Sequence, residues 1–183
     1  ALTAVFLSFA GHIELALIAL IYAGICDMFD GMIARRMKLD LEEREFGAQI
    51  DSIIDMASFG CTPALIGLHS GLDKPFDYPI LILYCSCAAM RLAYFNVHGL
   101  SDEGGRSYYT GLPVTYAAMI FPLVYAVKVF APEMAFDIII RLTFLGVAAA
   151  FVLQFKIPKP TGVFYWIFPS LAILMTIFWT YNI

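Results

Sequence analysis

Two pairs of aspartates stand at helical spacing in a chain otherwise rich in apolar residues: Asp27 with Asp30, then Asp51 with Asp55. At about 100° per residue, Asp27, Asp30, Gly31, Ala34 and Arg35 share one helix face, and Gly47, Asp51, Asp55 and Ser58 share another. Two antiparallel helices joined by a short loop can turn these faces toward each other, so that four carboxylates surround one site. A carboxylate in hydrocarbon costs at least ~2.5–3.5 kcal/mol on insertion scales, and both burial and like charge oppose ionisation of a crowded set. Divalent cations relieve both difficulties. An all-oxygen ligand set favours Mg²⁺, Mn²⁺ or Ca²⁺ over zinc. Two such ions about 3.5–4 Å apart would clamp a displacement at phosphorus.

The small residues bear on the same chemistry. Gly31, Ala34 and Gly47 leave the helix faces bare beside the carboxylates. Glycine inside a helix costs about 1 kcal/mol relative to alanine. Either close helix packing or a bulky planar ligand lying on the backbone offsets that cost. Arg35 can meet a phosphate or one of the aspartates.

The elements that must position these residues read as membrane helices. Of 183 residues, 61% are apolar and 14% charged, and the mean hydropathy is +0.81. A soluble domain is nearer 45–50% apolar and about 25% charged. Residues 1–10 read as the tail of a first helix trimmed at its N-terminus. Apolar segments follow at about 13–37, 47–70, 78–98, 111–130, 136–154 and 162–181, each near the ~20 residues a span requires. The expected fold is all-α: a polytopic membrane helical bundle of six full spans plus a partial first span, forming one integral-membrane domain over residues 1–183. The segments are too long and continuous for barrel strands. Residues 38–46 read as a charged, helix-prone linker, Thr62-Pro63 as a kink, residues 101–107 as a flexible polar loop, and Pro158-Lys159-Pro160 as a stiff turn.

Basic residues alternate between loops. Arg35, Arg36, Lys38 and Arg44, then Arg91 and Arg106, then Lys156 and Lys159 fall on one side, and Lys74 and Lys128 on the other. The positive-inside rule puts the first set, and with it the acidic cluster, at the cytoplasmic face of a cell membrane. Arg141, inside an apolar run near the other face, reads as a snorkelling side chain. No basic patch suits nucleic acid. The cysteines lack zinc-ligand spacing and read as packing residues.

The pattern Asp27-x2-Asp30-Gly31-x2-Ala34-Arg35, then Gly47-x3-Asp51-x3-Asp55, resembles the signature of the CDP-alcohol phosphotransferase family. Its one departure is the spacer of 11 residues between Arg35 and Gly47, longer than is usual there and confined to the charged linker. Phe46 to Ala64, Arg91-Leu92-Ala93-Tyr94-Phe95-Asn96 and Thr110-Gly111-Leu112-Pro113 are further similar to the phosphatidylserine synthases of that family. The resemblance covers roughly residues 13–120.

What the resemblance implies is a phosphatidyl transfer from CDP-diacylglycerol, or its archaeal ether analogue, to L-serine, with Mg²⁺ or Mn²⁺, two ions in all, in a homodimer surrounded by membrane lipids. It implies Asp27, Asp30, Asp51 and Asp55 as metal ligands and Asp55 also as general base. The donor nucleotide would lie over Asp30, Gly31, Ala34, Arg35 and Gly47. Arg91 and Asn96 would meet the acceptor. A phosphorylated acceptor, glycerol 3-phosphate or inositol phosphate, stays open because Arg91, Arg106 and Arg141 supply cations. From a different class, a cation channel or transporter also holds carboxylates in a membrane bundle, although these acids sit near one interface beside an arginine. A non-catalytic scaffold conflicts with the presence of all four aspartates.

Overall fold

A computed structural model describes residues 1–34, 40–99, 101–103, 106–158 and 164–182, with the backbone alone for 31–34, 101–103, 106–107 and 164–168. Eight α-helices occur among these residues. They are α1 (Leu2–Phe9), α2 (Ile13–Ala34), α3 (Leu41–Asp55), α4 (Thr62–His69), α5 (Asp77–His98), α6 (Ala117–Ala126), α7 (Glu133–Val152) and α8 (Phe164–Tyr181). A π-helical turn, Met56–Cys61, joins α3 to α4, and short 3₁₀ turns flank α6. α5 lies along α7, α2 packs against α1, α6 and α8, and the π turn packs on α5. Among the described residues, two helices, Asp77–His98 and Glu133–Val152, are long and apolar enough to cross a membrane.

Three features differ from the sequence expectation. The fold is mostly helical rather than purely so. Strands β1 (Ser101–Glu103), β2 (Arg106–Thr110) and β3 (Lys156–Pro158) form an antiparallel sheet in the order β1-β2-β3, with Ser101 opposite Tyr108 and Tyr109 opposite Ile157. The run Tyr108-Tyr109-Thr110 has the residue types that favour strands. The packing of α5 on α7 brings their following segments side by side, which no local pattern announces. Second, the charged, helix-prone segment is helical as expected from Leu41 on, but it is the first turns of α3 rather than a separate linker. Asp40 starts that helix with a capping box: Glu43 N–H donates to Asp40 Oδ1 at 2.8 Å and Asp40 N–H to Glu43 Oε2 at 3.0 Å. Third, Thr62-Pro63 marks a change of helix type rather than a simple bend. Lys159 and Pro160 of the expected stiff turn lie outside the described residues.

The core is built on aromatics. Tyr84 is fully buried and meets Phe121 and Phe144 edge-on, with centroids 5.5 and 5.1 Å away, and Phe151 at 5.5 Å. Perpendicular contacts of this kind are favoured by the ring quadrupoles. α2 reaches α6 closely at Gly24, where an added Cβ would stand 2.7 Å from Cβ of Ala118. Any larger residue at 24 would push α2 away.

Arg141 does not snorkel. Its Nε donates to Asp77 Oδ1 at 2.7 Å and its Nη2 to Asp77 Oδ2 at 3.2 Å, a two-pronged pair between α7 and α5. Asp77 is 1% exposed. Arg141 also lies over the ring of Phe76 and reaches Asp137 at 3.4 Å. An acid buried at the start of α5 demands a cation, and Arg141 is long enough to supply it from the neighbouring helix. Asp77→Ala leaves Arg141 without its main partner and should cost about 3–5 kcal/mol. Thermal unfolding in detergent should show this loss, with partial recovery in the Asp77→Ala/Arg141→Met double variant.

Candidate active site

Three constraints bring the aspartates together. The capping box starts α3 at Asp40, Gly24 lets α2 lie close to the bundle, and the π turn begins directly after Asp55. The result is a trio: one carboxylate oxygen from each of Asp27, Asp51 and Asp55 lies within 4.8 Å of the others. Exposure falls across it, from Asp51, which is open, through half-buried Asp27, to Asp55 at 9%. Asp30, one turn beyond Asp27, is exposed and lies outside this trio.

Asp55 carries the decisive atom. Its Oδ1 is buried and meets no donor group among the described residues; the side chain beside the carboxyl is another acid, Asp27, with which it can only share a proton. An unpartnered buried carboxylate oxygen costs several kcal/mol, and here two more acid groups crowd it. A hard divalent cation answers all three, since Mg²⁺ and Mn²⁺ take carboxylate oxygens. The residues present therefore fit such an ion.

The other expected site residues divide. Gly47 is exposed, and a Cβ there would meet nothing within 4 Å, so close packing among the described residues does not account for it. Its bare backbone borders open space. Gly31 and Ala34 fall on the last turn of α2, whose side chains are not described. Arg35 lies outside the described residues. Asn96 is at the site's edge, where Ser52 Oγ stands 3.0 Å from its Oδ1 and 3.0 Å from Ala48 O, with one proton to donate to either.

Arg91 points elsewhere. Five residues separate it from Asn96, a rotation of about 140° around the helix. Its Nε donates to Leu112 O at 2.9 Å and its Nη2 to Gly111 O at 3.4 Å. It is 4% exposed and makes no ion pair among the described residues. With Met90, Tyr94, Thr110, Phe151 and Gln154 it lines a cavity of about 240 Å³ between α5, α7 and β2. The Thr110-Gly111-Leu112-Pro113 segment is thus held by Arg91. Gly111 takes φ +84°, and a Cβ there would stand 2.9 Å from Leu153 O. Sequence reasoning placed Arg91 and Asn96 together. It passed over Gly24, whose only signal was a glycine one turn before Asp27.

The model of the CDP-alcohol phosphatidyltransferase family matches residues 1–180. The chain belongs to that family. It is 32% identical to the CDP-diacylglycerol–serine O-phosphatidyltransferase of Saccharomyces cerevisiae over 76% of this chain and 57% of that protein. It is 35% identical to the protein of the same name from Mycobacterium tuberculosis over 64% of this chain and 42% of that protein. To the archaetidylserine synthase of Methanothermobacter thermautotrophicus it is 30% identical, over 79% of this chain and 60% of that one. The chain thus spans about half the length of these relatives. No solved structure matches it.

The geometry ranks the aspartates. Asp55→Asn and Asp51→Asn should each weaken Mn²⁺ binding more than about tenfold, the least expected from damage to a ligand set. Asp30→Asn should weaken it less. Paramagnetic resonance of free Mn²⁺ titrated into purified protein gives all three.

Proposed function

We propose that this chain carries the catalytic domain, within residues 1–183, of an enzyme transferring a phosphatidyl group from CDP-diacylglycerol, or an archaeal ether analogue, to L-serine. The observation that carries the reading is the carboxylate trio with its orphaned Asp55 oxygen in a chain of this family. The names of its relatives, serine O-phosphatidyltransferase and archaetidylserine synthase, support the donor and the acceptor. The domain crosses the membrane six times between residues 13 and 181, with the site open to the cytoplasm. The two long apolar helices and the basic loops support this arrangement. The exposed apolar side chains of α3, among them Phe46, Ile50, Ile53 and Ile54, suit lipid tails or the second copy of a homodimer.

Asp27, Asp51 and Asp55 hold Mg²⁺ or Mn²⁺, with Asp30 adding its charge one turn on. When bound, the two ions supply charge neutralisation to the pyrophosphate of the donor. The open backbone at Gly47, together with Gly31, Ala34 and Arg35 of the same motif, receives the cytidine and its phosphates. The serine hydroxyl oxygen forms a bond to the lipid-side phosphorus, and the bond from that phosphorus to the CMP oxygen breaks. Asp55 takes the hydroxyl proton, and CMP departs with the bonding electron pair. Burial of Asp55 away from bulk water suits it to a proton transfer timed with attack. Asn96, held at the edge of the site beside Ser52, is placed to orient the acceptor.

A second reading has one observation in its favour. Arg91 is a buried cation lining a cavity, with no ion pair among the described residues, and the phosphate of a phosphorylated acceptor, with its larger negative charge, would pair with it more strongly than a serine carboxylate. Purified protein given CDP-diacylglycerol and Mn²⁺ separates the two. Release of CMP that requires serine supports the first reading. Release only with glycerol 3-phosphate or inositol phosphate supports the second. Asp55→Asn should lower the rate by about 10²–10⁴-fold. A rate unchanged in that variant removes Asp55 from both of its roles.

A further inference from the structure

We infer that Tyr84 is a positioning residue for Asp55, acting through the π turn that follows it. This rests on the metal-binding reading of the trio.

Pro63 sets the problem. In an α-helix the carbonyl of Phe59 would accept from the N–H of residue 63, four positions on, and proline has none. The ladder widens here instead: Thr62 N–H donates to Ala57 O, a five-residue step, and Thr62 Oγ1 reaches the same oxygen at 2.8 Å. Such π turns interrupt α-helices mostly as single turns, frequently at functional sites. The freed carbonyl of Phe59 is met from another helix, as Tyr84 OH donates to it at 2.5 Å. The next carbonyl, that of Gly60, receives Cys85 Sγ at 3.5 Å. Two successive residues of α5 thus hold two successive carbonyls of the turn.

Tyr84 is suited to this because it cannot move. Phe121, Phe144 and Phe151 from α6 and α7 clamp its ring, and none of it is exposed. Gly60 makes room within the turn for the side chain of Met56, since a Cβ there would stand 2.7 Å from its Sδ. Asp55 is the last residue of α3 and immediately precedes the turn. The phase at which α3 enters the π turn decides whether its carboxylate faces Asp27 and Asp51. The hydroxyl of Tyr84 therefore ties the metal site to the aromatic core, although it touches neither metal ligand nor substrate.

The test compares two buried tyrosines. Tyr84→Phe and Tyr125→Phe each remove one hydroxyl from a core ring; that of Tyr125 bonds Ser70 Oγ at 2.5 Å, away from the turn. Mn²⁺ affinity is read by paramagnetic resonance, CMP release at limiting and saturating Mn²⁺, and melting temperature alongside. Tyr84→Phe should weaken Mn²⁺ binding about 10–100-fold, the range for losing a supporting partner of a ligand. It should slow CMP release at limiting Mn²⁺, with recovery at saturation. Tyr125→Phe should change melting alone. Equal Mn²⁺ affinity in wild type and Tyr84→Phe overturns the proposal while leaving the metal site intact. Equal losses in both tyrosine variants reduce Tyr84 to a stability residue and overturn it too. Failure of the wild type to bind Mn²⁺ overturns the metal reading and this inference with it. If Tyr84→Phe does not fold, Pro63→Ala decides. It leaves the tyrosine in place but offers Phe59 O a competing N–H, and unchanged Mn²⁺ affinity there overturns the proposal.

Discussion

Carboxylates held among apolar helices are the constraint on which the rest of this structure depends. At one end of the bundle Asp27, Asp51 and Asp55 crowd within 4.8 Å with no described cation to pair them. At the other, Asp77 is more deeply buried than any of them but fully paired. The contrast separates a structural acid from a functional one. Where the fold needs only stability, a two-pronged arginine removes the cost. Where the acids are left crowded and one oxygen meets no donor among the described residues, the site is built to take a positive partner.

Much of the machinery around the trio serves to keep that deficit in place. Without the close approach at Gly24, α2 would stand away from α6 and from the π turn. Without the capping box at Asp40, the first turn of α3 would fray and the helix that carries two of the acids would lose about 0.5–2 kcal/mol of support. The graded exposure from Asp51 to Asp55 leaves one side of the cluster reachable from solvent and the other dry. That suits a site which must admit a charged headgroup and yet hold a reacting proton.

That Asp51 and Asp55 share a face was legible in the sequence because helical periodicity is local: a spacing of four residues and an apolar background decide which side chains point together. The expectation that all four aspartates surround one site meets instead a cluster of Asp27, Asp51 and Asp55 with Asp30 outside it. Helix positions followed for the same reason, and α5, α7 and α8 fall within a few residues of the segments read from hydropathy. What stayed hidden depends on contacts between distant residues. Pro63 announced a disturbance, but its form depends on a tyrosine from another helix. Arg141 looked like a residue seeking the interface because nothing near it in sequence reveals Asp77. Arg91 and Asn96, both expected near the acceptor, point to different sides of α5, because five residues along a helix turn a side chain most of the way to the opposite face. The sheet was invisible because its strands are only three to five residues long and lie on either side of two helices.

The Asp77–Arg141 pair also constrains how the chain comes to be assembled. The two residues are 64 positions apart, so during synthesis at about 5–20 residues per second the acid emerges roughly 3–13 s before its arginine. For that interval the acid at the start of α5 has only the neighbouring Lys74 for company and lacks its two-pronged partner, and lodging it in hydrocarbon would be unfavourable until α7 arrives. An α5 that spans a membrane would therefore keep this end at the water interface, and the two helices would settle as a pair. A ribosome stalled between them would strand an intermediate whose acid is still solvated.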